Sequence, residues 1–124
     1  MIVSNTTPLS NFLHLNNLSL LTKLFGNIYI PKVVVQEVDA FFSANKEWKE
    51  NIEQQNIIIQ SISNTIFVKE LMPFLHQGEA EAISLCIEKK GRLLLLDDRD
   101  ARTIAQRYNI SISGTVGILD IFPK

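Results

Sequence analysis

Three carboxylates, Asp97, Asp98 and Asp100, fall within four positions directly after the apolar run Leu93-Leu94-Leu95-Leu96. A continuous apolar run ending in turn chemistry reads as a strand buried on both faces. The acids then stand where that strand leaves the sheet, and ligands bind at such carboxyl ends in open α/β sheets. Clustered negative charge repels itself unless a cation joins it. From this stretch alone, capping of the next helix is the stronger reading, because Asp suits free N–H groups and the positive dipole end.

Two further acids change that balance. At about 100° per residue, Glu79 shares a helical stripe with Ala82, Ile83 and Cys86, while Glu81 lies with Ser84 and Glu88 on a stripe expected to face solvent. Glu37 shares a stripe with Val33 and Val34 and also faces inward. An inward carboxylate is costly unless paired or bound to metal. Inward acids on two helices, plus acids at a strand end, suit metal-assisted phosphodiester cleavage. Mg²⁺ and Mn²⁺ take hard oxygen ligands and activate water. His14 and His76, the only histidines, lack metal-motif spacing and read as surface or helix-end residues. No P-loop and no Gly-rich dinucleotide motif is present.

The elements that must position these residues are short. Met1–Ser4 reads as a strand, followed by a helix start at Asn5-Thr6-Thr7-Pro8, where Asn5 is a good N-cap. Ser19 is expected to cap a helix over 20–25, ended by Gly26. Residues 27–30 form a second strand and Pro31 opens a helix through Val38; residues 39–55 continue as a partly exposed helix with an aromatic cluster of Phe41, Phe42 and Trp48. Ile57–Ile59 is a third strand. Residues 65–75 are helical with Phe67, Leu71 and Phe74 inward, interrupted at Pro73. Gln77-Gly78 is a turn, 79–90 a helix ended by Gly91, 92–96 a strand and 98–108 a helix, with Asp100 as its capping acid. Ile110–Ser113 is a last strand, and Val116–Phe122 a final helical turn after Gly114-Thr115. Alternating strands and helices imply a parallel sheet in a three-layer α/β/α sandwich. Strand order is not readable from the pattern.

The chain has 124 residues, which fits one domain, and 46% hydrophobic residues support a real core. Twelve basic and thirteen acidic residues give a net charge of −1, which argues against a nucleic-acid binder working by bulk charge. Half of the basic residues nevertheless lie at Lys89, Lys90, Arg92, Arg99, Arg102 and Arg107. Cys86 is the only cysteine, so an internal disulfide and a Cys-based zinc site are excluded; packing is its expected role, and a reducing cytoplasm the expected location. No signal-peptide pattern or membrane-spanning run is present.

The ordered motifs Val3-Ser4-Asn5-Thr6-Thr7-Pro8-Leu9, Ile30-Pro31 through Glu37-Val38, Gly78-Glu79-Ala80-Glu81-Ala82-Ile83, Leu95 to Arg102, and Gly114-Thr115-Val116-Gly117-Ile118-Leu119 resemble those of PIN domains, the nuclease fold of VapC-type toxins. The match is nearest a branch of small prokaryotic PIN-like proteins. The resemblance implies a PIN-like fold over 1–124, single-stranded RNA as substrate, Mg²⁺ or Mn²⁺ as cofactor, a small antitoxin as partner and a possible homodimer. It places the family's acids at Asn5, Glu37, Glu79 and Asp97 or Asp98, with Thr6 supporting the first. Glu37, Glu79, Asp97 and Asp98 are then the expected catalytic acids, with Asp97 and Asp98 supplying half of a metal site shared with Glu79 and Asn5, and Arg99 and Arg102 of the basic span are the residues expected to contact nucleic acid. Nucleases of this fold usually carry Asp where this chain has Asn5. Relatives also continue past the Gly-Thr motif with a further helix, which this chain is expected to lack. The alternative to a ribonuclease is a degenerate PIN-like module that binds RNA or protein without cleaving. A receiver-like signalling domain fits poorly, because its acid pair belongs after the first strand, where Ser4-Asn5 stands.

Overall fold

The computed structural model describes residues 1–54 and 56–121, apart from the side chains of residues 51 and 53. The expected boundaries at Gln55 and Phe122 lie outside the described residues. The elements run β1 (Ile2–Ser4), α1 (Thr6–His14), α2 (Leu18–Phe25), β2 (Ile28–Ile30), α3 (Lys32–Phe42), α4 (Lys46–Glu53), β3 (Ile57–Ile59), α5 (Thr65–Leu71), α6 (Gln77–Glu88), β4 (Leu93–Leu95), α7 (Arg99–Arg107), β5 (Ile112–Ser113) and α8 (Thr115–Ile121). The five strands form one parallel sheet in the order β3-β2-β1-β4-β5. Ile2 pairs with Ile28 on one side and Leu93 on the other.

The apolar runs segregate by strand alternation. Ile2, Leu93 and Leu95 pack on one face with Leu9, Phe12, Leu21, Val34, Trp48 and Ile118. Val3, Leu94 and Leu96 pack on the other with Val68, Leu71, Ile83, Ala101 and Ala105. Helices cover both faces, which is the expected α/β/α layering. The sheet reverses its winding at β1: the chain steps outward to β2 and β3, then returns to place β4 on β1's other side. The crevice of an open α/β sheet lies at that switch, beyond the strands' carboxyl ends.

Several local expectations are corrected. Helix α2 starts at Leu18 rather than Leu20 because Glu47 Oε1 accepts the Leu18 N–H, satisfying a donor without Ser19. The polar stretch after Asp39 is two helices, α4 being capped by Asn45 Oδ1 on the Trp48 N–H at 3.0 Å. Of its aromatics, Trp48 is buried with its indole N–H on Asp39 and Phe42 packs against the same core, while Phe41 is exposed. Phe74 is 72% exposed, not inward, because the turn after α5 directs Leu71 and Leu75 into the core instead. Helix α6 begins at Gln77, so Gly78 is helical. Glu81 and Ser84 are buried rather than solvent-facing, since α6 is enclosed nearly all round, and Gln77 Nε2 donates to Glu81 at 2.7 Å. Lys90, not Gly91, takes the positive φ (51°) that closes α6. Gly91 is needed for space: a Cβ there would stand 2.6 Å from Cys86 Sγ.

Candidate active site

Asn5 follows β1, and its backbone N–H donates to Leu95 O at 3.0 Å, tying the ends of β1 and β4 together at the winding reversal. It occupies the N-cap position of α1, yet its side chain makes no capping bond. The residue is 2% exposed and its Oδ1 accepts nothing from the described residues. An unsatisfied buried acceptor costs roughly 1–3 kcal/mol. An acceptor without a partner leaves a position that a water or an ion can fill; Ser84 Oγ, within α6, is the other such atom among the described residues.

Beside it, Thr6 Oγ1 donates to Glu37 Oε1 at 3.2 Å, joining the start of α1 to the middle of α3. Gly78 gives Glu37 its room. A Cβ at Gly78 would lie 2.1 Å from Glu37 Oε1 and 3.3 Å from Thr6 Oγ1. Gly78→Ala therefore displaces Glu37 from Thr6. Helix propensity favours Ala by about 1 kcal/mol and offsets the loss, so thermal stability is expected to stay within about 1 kcal/mol of wild type. Activity is expected to fall 10- to 100-fold, the usual effect of disturbing a supporting partner. Melting and cleavage measured on the same preparation check this separation; unchanged cleavage would free Glu37 of any role.

Glu79 stands in the first turn of α6, where its Oε1 accepts the His76 N–H at 3.0 Å. It is buried. Burial pushes its carboxyl above the usual range, the negative charges of Asp98 and Glu37 push the same way, and the His76 N–H and side chain oppose them. With the folded-state value raised, the native form holds this proton more tightly than the unfolded chain does. The native state therefore loses stability as pH rises through that interval. A cation would relieve the charge instead.

The two adjacent aspartates diverge. Asp98, not Asp100, caps α7, its Oδ1 accepting the Ala101 N–H at 2.8 Å. Asp97 has both oxygens engaged: Oδ1 accepts the Thr115 N–H at 2.6 Å, and Oδ2 accepts the Thr115 hydroxyl and the Asn11 amide. Gly114 allows that approach, since a Cβ there would lie 2.7 Å from Asp97 Oδ1 and 3.2 Å from Arg102 Nη1. Asp100 and Arg99 are exposed, and Arg102 is half-buried.

Glu79, Asp98 and Asp100 open into a cleft of about 330 Å³, with His76 and Phe74 on its wall. Nothing in the local sequence pattern marks His76, Phe74, Gly78, Asn11 or Thr115 as site residues. Their roles arise from contacts across the chain that no local pattern announces.

A family model described as a PIN domain matches residues 1–123. The chain belongs to the PIN-domain family. No curated protein matches it. The parallel α/β sandwich is thus the nuclease-like PIN fold, and PIN domains are generally dependent on divalent metal. No helix among the described residues is long and apolar enough to cross a membrane.

The donor chemistry of this PIN domain fits a hard divalent ion. It comprises an orphaned amide oxygen on Asn5 and three carboxylates, of which Glu79 feels the charge of both Glu37 and Asp98. Among the described residues no group of three or more His, Cys, Asp or Glu side chains is arranged to hold an ion unaided. Each of the three is pinned through one oxygen only: Glu37 by Thr6, Glu79 by the His76 N–H, and Asp98 by the Ala101 N–H. Their second oxygens carry no hydrogen bond among the described residues.

Proposed function

We propose that this PIN domain is a metal-dependent endoribonuclease that cleaves single-stranded RNA and serves as the toxin of a toxin–antitoxin pair. The observation that carries the reading is the half-pinned set Glu37, Glu79 and Asp98, together with the orphaned oxygen of Asn5, the residue before the Thr6 that holds Glu37. Glu79, Asp98 and Asn5 would hold Mg²⁺ or Mn²⁺, with Glu37 adding a further negative charge felt by Glu79. When bound, the ion lowers the pKa of a water and offsets charge on the phosphodiester. Thr6, His76 and the first turn of α7 hold the carboxylates so that they need not reorganise. Asp97 acts as a positioning residue, because both its oxygens already fasten α8 to β4. Asp100 stands at the cleft mouth, and Arg99 and Arg102, in the first turn of α7, would meet the RNA backbone. A small antitoxin and a homodimer belong to this reading on the strength of family resemblance.

The test is cleavage of an unstructured oligoribonucleotide in Mn²⁺ or Mg²⁺ against chelator. Cleavage is expected with either ion and none in chelator; cleavage that persists in chelator overturns the reading. A second reading, a non-cleaving RNA- or protein-binding module, is favoured by one observation: an uncharged Asn5 stands at the position that nucleases of this fold usually fill with Asp.

A further inference from the structure

Two clefts share one side chain. Phe74, in the turn between α5 and α6, lines the acidic cleft with Glu79 and Asp98. It also lines a second cleft of about 310 Å³ with Phe67, Tyr108 and Arg107. Its exposure is built in, since the turn buries Leu71 and Leu75 on either side of it, at 5% and 6% exposure. Phe67 and Tyr108 meet edge to face with ring centroids 5.3 Å apart, and Tyr108 is itself 45% exposed. A single carboxylate, Glu70, also faces this second cleft.

We propose that Phe74 is a base-stacking platform, and that a single strand of RNA runs from the acidic cleft across Phe74 into the groove of Phe67 and Tyr108, where Arg107 meets a phosphate. The inference rests on the nuclease reading above and names how that site selects its substrate. Aromatic rings interleaved with a cation are what unpaired nucleic acid requires, because every base offers a π-face. Bases within a duplex have both faces occupied and cannot use the ring, so Phe74 selects single strands without selecting sequence. An apolar helix of a protein partner would gain little from a groove that opens at one end on Glu79, Asp98 and Asp100.

The test is fluorescence anisotropy of a short labelled oligouridylate with the full chain, in chelator so that nothing is cut. Parallel cleavage runs use Mn²⁺. Phe74→Ala is expected to weaken binding roughly 5- to 150-fold, the range for one stacked base. Phe74→Trp is expected to restore it, and a duplex of equal length to bind both forms equally weakly. Equal binding by wild type and Phe74→Ala, with cleavage by the wild type intact, overturns the platform and leaves the nuclease reading standing. No binding and no cleavage by the wild type overturns both.

Discussion

Asp98→Asn is expected to lower metal-dependent RNA cleavage about 10³-fold without unfolding the protein. Removing one unit charge about 4 Å from a cation forfeits about 4 kcal/mol at an effective dielectric near 20. At 1.36 kcal/mol per decade, that is close to three orders of magnitude in rate. The fold should survive because the amide oxygen of Asn can still accept the Ala101 N–H that Asp98 Oδ1 accepts at 2.8 Å. Asn caps helices about as well as Asp. The remaining loss is the dipole interaction at the start of α7, roughly 0.3–1 kcal/mol. Single-turnover cleavage in Mn²⁺, read beside a melting curve, separates the two effects. Full activity in the variant would remove Asp98 from the catalytic set.

Asn5→Asp should have opposite effects with and without metal. Asn5 is 2% exposed and its oxygen has no partner among the described residues, so an Asp there is an unpaired buried charge. Without divalent ion the substitution is expected to destabilise the protein on the order of 3–5 kcal/mol. With Mn²⁺ the added charge becomes a ligand, and the rise in melting temperature on adding ion should exceed that of wild type, because ligand binding stabilises the native state by mass action. Thermal melts over a Mn²⁺ series check both halves. An ion-free variant as stable as wild type would mean that the Asn5 oxygen is not truly isolated. If only the variant cuts RNA, the natural chain is the non-cleaving module.

The alternation of elements was legible because a parallel strand buried on both faces reads as an unbroken apolar run, as at Leu93–Leu95. Ile57–Ile59 reads the same way, although it is the edge strand and Ile59 is exposed. The inward aim of Glu79 was legible for a similar reason, since helix phase is a local property. Glu81 and Ser84 misled because polarity signals solvent only when a helix has an open side, and α6 has almost none. Gly78 looked like a turn because glycine usually marks one. Its reason here is the Glu37 carboxylate on a different helix, a contact that no window of sequence contains. The division of labour between Asp97 and Asp98 was hidden in the same way: Thr115 and Asn11, which claim Asp97, come from opposite ends of the chain.

The sheet order carries a consequence for biosynthesis. β1 is made well before β4, yet its register with β4 requires Leu93–Leu95. Pairings of such long range are slow to close. During translation β1 must wait, with one edge unpaired, until residues 93–95 have left the ribosome. Asn5 and Asp98 come together only when that wait ends. A nascent chain therefore cannot assemble its acidic cleft before β4 and the start of α7 have emerged.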